Sequence, residues 1–244
     1  MKKIDNNDYN SFVRYAEDIV FCRVFPLSVV LNYQSGSIYR SENCILFRHK
    51  NNFTFLSGTP DEAGLHEIHE LILTEKLKFL CTDSMICEKM SGFGGVEFFP
   101  RDVYSYPHDK APEINIPDGY SLRSIDEELF SRLTGCVPPS LYWDSYEQFS
   151  KKGTGFCIMH GNEAASWAFS SAVSSKEADI GIETAEAFRH RGLALAAAAA
   201  MIREILPDRR PTWTCQRSNL GSARIAEKLG FVKHAECIMI KKAD

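Results

Sequence analysis

An excess of basic charge is missing from this chain of 244 residues: 28 Lys and Arg stand against 32 Asp and Glu, a formal net charge of -4. That balance removes general electrostatic attraction to nucleic acid or to an anionic membrane as a basis for function. A long apolar run is missing too. The longest, residues 193–202, falls well short of the roughly 20 residues that cross a bilayer, and the N-terminus turns polar at Asp5, Asn6 and Asn7, where a signal peptide needs an apolar core. The expectation is a cytoplasmic protein without a nucleic-acid or membrane partner. No C-x-x-C pair occurs among the eight cysteines, several of which sit inside apolar runs such as Phe156-Cys157-Ile158-Met159. Reduced, packed thiols are the better reading, and neither disulfides nor a metal are expected. Internal repeats and low-complexity segments are not visible, apart from one alanine run at 196–200.

With those classes set aside, 44% hydrophobic and 25% charged residues describe an ordinary globular chain. One Pro-containing polar stretch, residues 106–119, interrupts the pattern and divides the chain into an N-terminal α/β domain over 1–110 and a second domain over 111–244. In the first, the patterns predict a helix over 10–18, strands at 21–25, 29–33, 44–48 and 53–57, a helix over 60–73 capped by Thr59, and strands at 78–82 and 96–99. The second reads strand (120–125), helices (126–133 and 142–149), strands (155–160, 164–173 and 178–184), helix (192–206), strand (212–216), helix (220–229) and strand (232–240). Strands with helices inserted late imply a mixed α/β or α+β sheet.

The segment with chemical content follows the strand at 178–184. The turn Arg189-His190-Arg191-Gly192-Leu193-Ala194 opens directly onto a helix. Backbone N–H groups at a helix start have no intrahelical acceptor, and the helix dipole adds positive potential there. Gly192 and Ala194 leave room for a phosphate to approach the backbone, and Arg189 and Arg191 add fixed charge. His190 is assigned to the same anion loop without a proton-transfer duty. Downstream, Asn219 is a good N-cap, Ser222 falls three positions on, and Gly230 ends the helix in a left-handed conformation before Phe231.

Arg189-x-x-Gly192-x-Ala194, followed by Asn219-x-x-Ser222 and by Ala226-Glu227-Lys228-Leu229-Gly230-Phe231, resembles the GNAT acetyltransferase superfamily, whose cofactor loop reads R/Q-x-x-G-x-G/A. With Thr184, Trp213 and Cys215 the pattern is similar to the branch that includes zwittermicin A resistance acetyltransferases. The resemblance implies a GNAT-type mixed sheet whose fourth and fifth strands, here 178–184 and 212–216, splay apart to admit the pantetheine arm of acetyl-CoA. It implies that backbone groups near Ile182 and Thr184 bind that arm and can stabilise the oxyanion formed on acyl transfer, with Arg189, His190, Arg191, Gly192, Leu193, Ala194, Asn219 and Ser222 completing the cofactor site. A carboxylate on the strand is the expected base for the amine, Asp179 first and Glu183 second. Tyr142 and Trp143 fall where the superfamily covers the acceptor.

The activity so implied is acetyl transfer from acetyl-CoA to a primary amine of a small molecule by direct attack in a ternary complex. The alternatives are a protein N-terminal or lysine acetyltransferase and a non-catalytic acyl-CoA-binding module. One departure stands out: Ala226 occupies the position where many relatives carry a tyrosine that protonates the departing thiolate. The first domain is left to one of three roles: a degenerate copy of the same fold, a substrate-specificity domain, or a homodimer surface. Three further features are decoys. His66-Glu67-Ile68-His69 lacks the spacing of a zinc helix and reads as a solvated face. Ser91-Gly92-Phe93-Gly94-Gly95 reads as a turn, and Cys136 as a packed thiol.

Overall fold

The computed structural model describes residues 1–243. Contacts between Cα atoms divide them into two compact units. Unit 1 comprises Met1–Val103, Cys215–Asn219 and the chain from Ala235 onward; unit 2 comprises Tyr104–Thr214 and Leu220–His234.

Through unit 1 the chain forms β1 (Lys2–Lys3), a 3-10 turn, α1 (Val13–Glu17), α2 (Val24–Val30), β2 (Gly36–Arg40), β3 (Cys44–His49), β4 (Phe53–Gly58), α3 (Glu62–Glu75), β5 (Lys78–Cys81), α4 (Ser84–Phe93) and β6 (Val96–Ser105). β1 to β4 form an antiparallel ladder. β4 then pairs parallel with β5 at only three positions, Phe53 to Phe55 against Lys78 to Leu80. The other edge of β5 is taken by the chain's last strand, antiparallel, with Ile238 opposite Cys81 and Ile240 opposite Phe79. The core between this sheet and the helices α3 and α4 holds Leu65, Ile68, Ile72 and Met90 against Leu46, Phe79 and Ile240.

Unit 2 is built from β7 (Ser121–Ser124), α5 (Glu127–Arg132), α6 (Tyr146–Lys152), β8 (Gly155–His160), β9 (Glu163–Val173), β10 (Glu177–Thr184), α7 (Leu193–Ile205), β11 (Arg210–Gln216), α8 (Leu220–Lys228) and the start of β12 (Val232–Lys242). β7 to β10 are antiparallel neighbours. β10 and β11 are parallel, again for three positions, Glu177 to Asp179 against Arg210 to Thr212. α7 packs on β8, β9 and β10. Its alanines let the helix lie close to the sheet, since little side chain stands between them, and Ala196 to Ala200 are all buried.

Helix, helix, three strands, helix, strand, helix, strand follow an opening strand in both passes, so β1 to β6 and β7 to β12 repeat one order of elements. This repeat leaves no trace in the residue pattern. Mixed parallel and antiparallel sheet flanked by helices is the fold class expected above, and most expected elements of residues 111–240 stand within a few positions of their predicted bounds.

The first 110 residues need more correction. The expected strands at 21–25 and 29–33 are replaced by one helix, α2, buried at all seven positions. A short apolar run buried on every side lacks the periodicity that separates helix from strand. β2 and α4 were not anticipated. α3 is capped by Asp61, whose carboxylate accepts from the Gly64 N–H at 2.7 Å, and not by Thr59. His66, Glu67 and Glu70 are exposed, as the solvated reading has it, with His66 stacked on Phe93, whereas His69 is buried and its Nε2 lies 2.8 Å from the Gly94 carbonyl. Glu67 pairs with the N-terminal amine of Met1. The glycines 94 and 95 follow the end of α4 with φ of 76° and 69°.

Candidate functional site in unit 2

β10 continues five residues past its last pairing with β11. Ala185 donates to Ala165 beyond the end of the β9 ladder, and Thr184 and Ile182 sit opposite Ser166 and Ala168. In an antiparallel ladder the bonded pairs alternate, so the N–H and C=O groups of Ile182 and Thr184 face the edge that β11 has left. The parting of two parallel strands thus exposes backbone donors and acceptors inside a sheet, where unmet groups are costly. An extended polar ligand satisfies them as a missing strand would.

At the far end of the same edge lies the start of α7. Gly192 takes φ 78° in the N-cap position and no side chain caps the helix. The N–H groups of Leu195 and Ala196 both turn to the Gly192 carbonyl at 3.1 and 3.3 Å, which leaves those of Leu193 and Ala194 as the open donors of the first turn. A Cβ added at Gly192 would meet nothing within 4 Å, so the space in front of the turn is open. His190 is also left-handed, with φ 64°. Arg189 and His190 are exposed, with Arg189 Nε 3.5 Å from the Thr184 carbonyl. Arg191 is held: it donates to Tyr120 Oη at 3.0 Å and to the Ala187 carbonyl at 3.2 Å, with its guanidinium 5.6 Å from the Phe188 ring centroid. Tyr120 was not anticipated from the sequence. The donor set is thus backbone N–H groups, a helix dipole and guanidinium charge around open space, which fits a pyrophosphate.

On the opposite face of β10, Asp179, Gly181 and Glu183 share one side, as strand alternation requires. A Cβ on Gly181 would come within 2.9 Å of the Phe169 ring. Asp179 stands at the last β10–β11 pair, where the strands part, and is 4% exposed. Ser171 Oγ donates to one of its oxygens at 2.6 Å and Thr212 Oγ1 to the other at 3.2 Å. Neither hydroxyl was foreseen. Ser170 and Ser171 inside the apolar strand 167–173 were a usable signal, whereas Thr212 is linked to Asp179 only by sheet register. Glu183 is half-buried and accepts the backbone N–H groups of Cys136 and Val137 at 3.1 and 2.7 Å. Trp167, opposite Glu183 in β9, donates its indole N–H to the Val137 carbonyl at 3.0 Å. Together they pin the turn at Gly135, whose φ is 129°. Cys136 itself is exposed, which corrects the packed-thiol reading.

The two aromatic residues expected at the acceptor separate. Tyr142 is half-buried with its ring edge-on to Phe169 at 5.3 Å, on the Gly181 side of the sheet. Trp143 is fully buried, donates to the Ser170 carbonyl at 2.8 Å and packs on Phe149, so it belongs to the core and lines no accessible surface. Ser222 accepts from the Trp213 indole at 3.1 Å and so fastens α8 to β11. Asn219 lies in the Cys215–Asn219 segment of unit 1, where it donates its N–H to the Gln216 carbonyl at 2.9 Å. Ala226 is fully buried and supplies no acid. Gly230 ends α8 with φ 95°. No cluster of three His, Cys, Asp or Glu suited to a metal occurs among the described residues, and no helix among them is long and apolar enough to cross a membrane.

A sheet parted at its parallel pair, with an uncapped glycine-led helix at the end of the opened edge, is the arrangement of the GNAT acetyltransferases, and the chain belongs to that family: its model matches residues 27–239. The protein is therefore an acyltransferase of the N-acetyltransferase kind, in a family that uses acetyl-CoA. It is 34% identical over 247 residues to an uncharacterized N-acetyltransferase, YdfB, of Bacillus subtilis, with 95% of this chain and 94% of that one covered. Its fold is similar to that of a GCN5-related N-acetyltransferase-like protein of Streptococcus suis, at TM-score 0.78, 22% identity, and 98% and 100% coverage. It is also similar to that of a tandem GNAT protein from the clavulanic acid biosynthesis pathway, at TM-score 0.58, 12% identity, and 98% and 94% coverage.

Proposed function

We propose that unit 2 transfers an acetyl group from acetyl-CoA to a primary amine of a small molecule, by direct attack while both are bound. The observation that carries this reading is the opened edge of β10 leading to the uncapped start of α7. Acetyl-CoA supplies an acyl thioester, activated for transfer to nitrogen. The open N–H groups of Leu193 and Ala194 would hold its phosphates with Arg189, and the backbone of Ile182 and Thr184 its amides. His190 and Arg191 complete the loop, Arg191 also bracing it through Tyr120. Ser222 acts by setting α8 against β11 through the Trp213 indole.

Asp179 is the favoured base. It sits where the strands part, and its contact with the Ser171 hydroxyl gives a buried carboxylate a path for a proton. Glu183 is already committed to two backbone amides, which favours a role in holding the 135–137 turn. Tyr142, on that same side, is the residue proposed to meet the acceptor. With Ala226 in place of a tyrosine the thiolate leaves without a protein acid at that position, which a thiol pKa of about 8.5 permits.

The first pass of the fold, β1 to β6, is a degenerate copy of the second. Its helix α3, equivalent in order to α7, carries its own carboxylate cap, Asp61, with Glu62 beside it. Negative charge already occupies the place where a phosphate would bind, so one cofactor site per chain follows.

Thiol release from acetyl-CoA over a panel of amines tests the reading. Amine-dependent release is expected, and Asp179→Asn should lower kcat about 100-fold or more while acetyl-CoA binding persists. Full kcat in Asp179→Asn removes the base assignment, and no release with any small amine but release with peptides replaces the acceptor class.

A further inference from the structure

We propose that unit 1 holds a second ligand site, for a small oxyanion of the phosphate or carboxylate class, formed by Arg101, Lys78 and Asn51 around the ring of Phe53. Phe53 opens β4, Lys78 opens β5, and the two are partners in the parallel ladder, so their side chains stand on one face of the sheet. The Arg101 guanidinium lies 5.0 Å from the Phe53 ring centroid and the Lys78 amine 5.8 Å from the same centroid. Two cations thus share one aromatic ring. A third stands beside them: Ile240 opposes Phe79, which places Lys241 next to Lys78 along the ladder, with its amine 4.9 Å from the Phe99 ring centroid.

Like charges brought together away from water repel, and burial together with Arg101 and Lys241 holds the Lys78 amine below the usual lysine range. Glu97 lies against Lys241 at 3.8 Å and offsets part of that third charge, and Asp102 accepts from Arg217 at 3.0 and 3.1 Å.

Two donors at this place are buried with nothing to donate to. Arg101 is 8% exposed and its Nε has no hydrogen-bond partner; Asn51 is 9% exposed and its Nδ2 has none. Asn51 is held at the start of β4, its Oδ1 accepting the Phe53 backbone N–H at 2.9 Å and lying 3.0 Å from His49 Nδ1. Buried donors in folded proteins are nearly always satisfied. A water molecule would satisfy the donors and leave the charge repulsion in place, whereas an oxyanion answers both. The arrangement is confined to unit 1 and does not rest on the acetyl-transfer reading.

The test uses the full chain, with inorganic phosphate and acetate as separate probes and chloride at equal ionic strength as the control. The rate at which acetic anhydride acylates Lys78 is followed by peptide mass spectrometry. A bound anion raises the amine pKa, and each unit removes about tenfold of the free amine, so acylation should slow several-fold with whichever probe binds. Protection should vanish in Arg101→Gln and persist in Gly192→Glu, which separates this site from the start of α7. Equal rates in phosphate, acetate and chloride, or protection that survives Arg101→Gln, overturns the proposal. If Arg101→Gln does not fold, Lys78→Gln combined with Gly192→Glu serves. A phosphate-specific rise in Tm seen with Gly192→Glu alone should then be lost, and its survival is equally fatal.

Discussion

Replacing Gly192 by glutamate separates stability from cofactor binding. In the folded chain Gly192 has φ 78°, a conformation that costs an L-residue about 1 to 2 kcal/mol. No atom lies within 4 Å of an added Cβ, so no steric cost is added. A carboxylate at the start of α7 regains about 0.3 to 1 kcal/mol from the helix dipole. The net destabilisation is about 1 kcal/mol, a fall in Tm of about 2 to 4 °C for a chain of this length. Binding responds differently, because the new carboxylate stands where the phosphates are held. One pair of like charges about 4 Å apart repels by about 1 kcal/mol in bulk water and about 4 kcal/mol at an effective dielectric near 20. Affinity for acetyl-CoA should therefore fall by about fivefold to nearly a thousandfold. Thermal unfolding and titration calorimetry on the same preparation read both quantities. Unchanged acetyl-CoA affinity would refute the placement of the phosphates at this turn. A loss of Tm far beyond the expected few degrees would refute the claim that Gly192 faces open space.

Other substitutions probe the rest of the site. Trp143→Ala removes a fully buried indole and should destabilise unit 2 by about 3 to 5 kcal/mol in urea unfolding, with the KM for the amine of the folded fraction unchanged; a selective rise in KM would return Trp143 to the acceptor pocket. Glu183→Gln weakens two charge-assisted bonds to the 135–137 turn, by about 1 kcal/mol after allowance for half exposure. Faster amide exchange at Cys136 and Val137 is the expected readout, and unchanged exchange counts against the pinning role. Burial pushes the Cys157 thiol up to about 12. The folded state keeps this proton while the unfolded thiol loses it above its ordinary value, so the contribution is complete below that value and is lost as pH rises toward 12. Cys157→Ala should flatten that alkaline fall in stability, and an unchanged slope would show that Cys157 does not cause it. In native protein at mildly alkaline pH, a thiol reagent should modify exposed Cys136 and spare Cys157.

The chemistry of the anion loop was legible in the residues because helix starts are local. Arg189, Gly192 and Ala194 announce an uncapped, positively charged turn within six positions, and Gly230 announces the end of α8. β8 to β11 were legible for the same reason, since apolar alternation and turn residues repeat over short distances. Where burial is complete that signal fails, as in α2, whose apolar run reads equally as two strands. Partners far apart in the chain leave no mark in the sequence at all. Only the tertiary structure decided that Ser171 and Thr212 would hold Asp179, that Glu183 would bind the turn at 135–137, and that the last strand would pair with β5. Strand pairing and register depend on which surfaces meet, and many side chains satisfy one pairing equally well. For the same reason one order of elements could be used twice, β1 to β6 and β7 to β12, without a repeat that the residues themselves disclose.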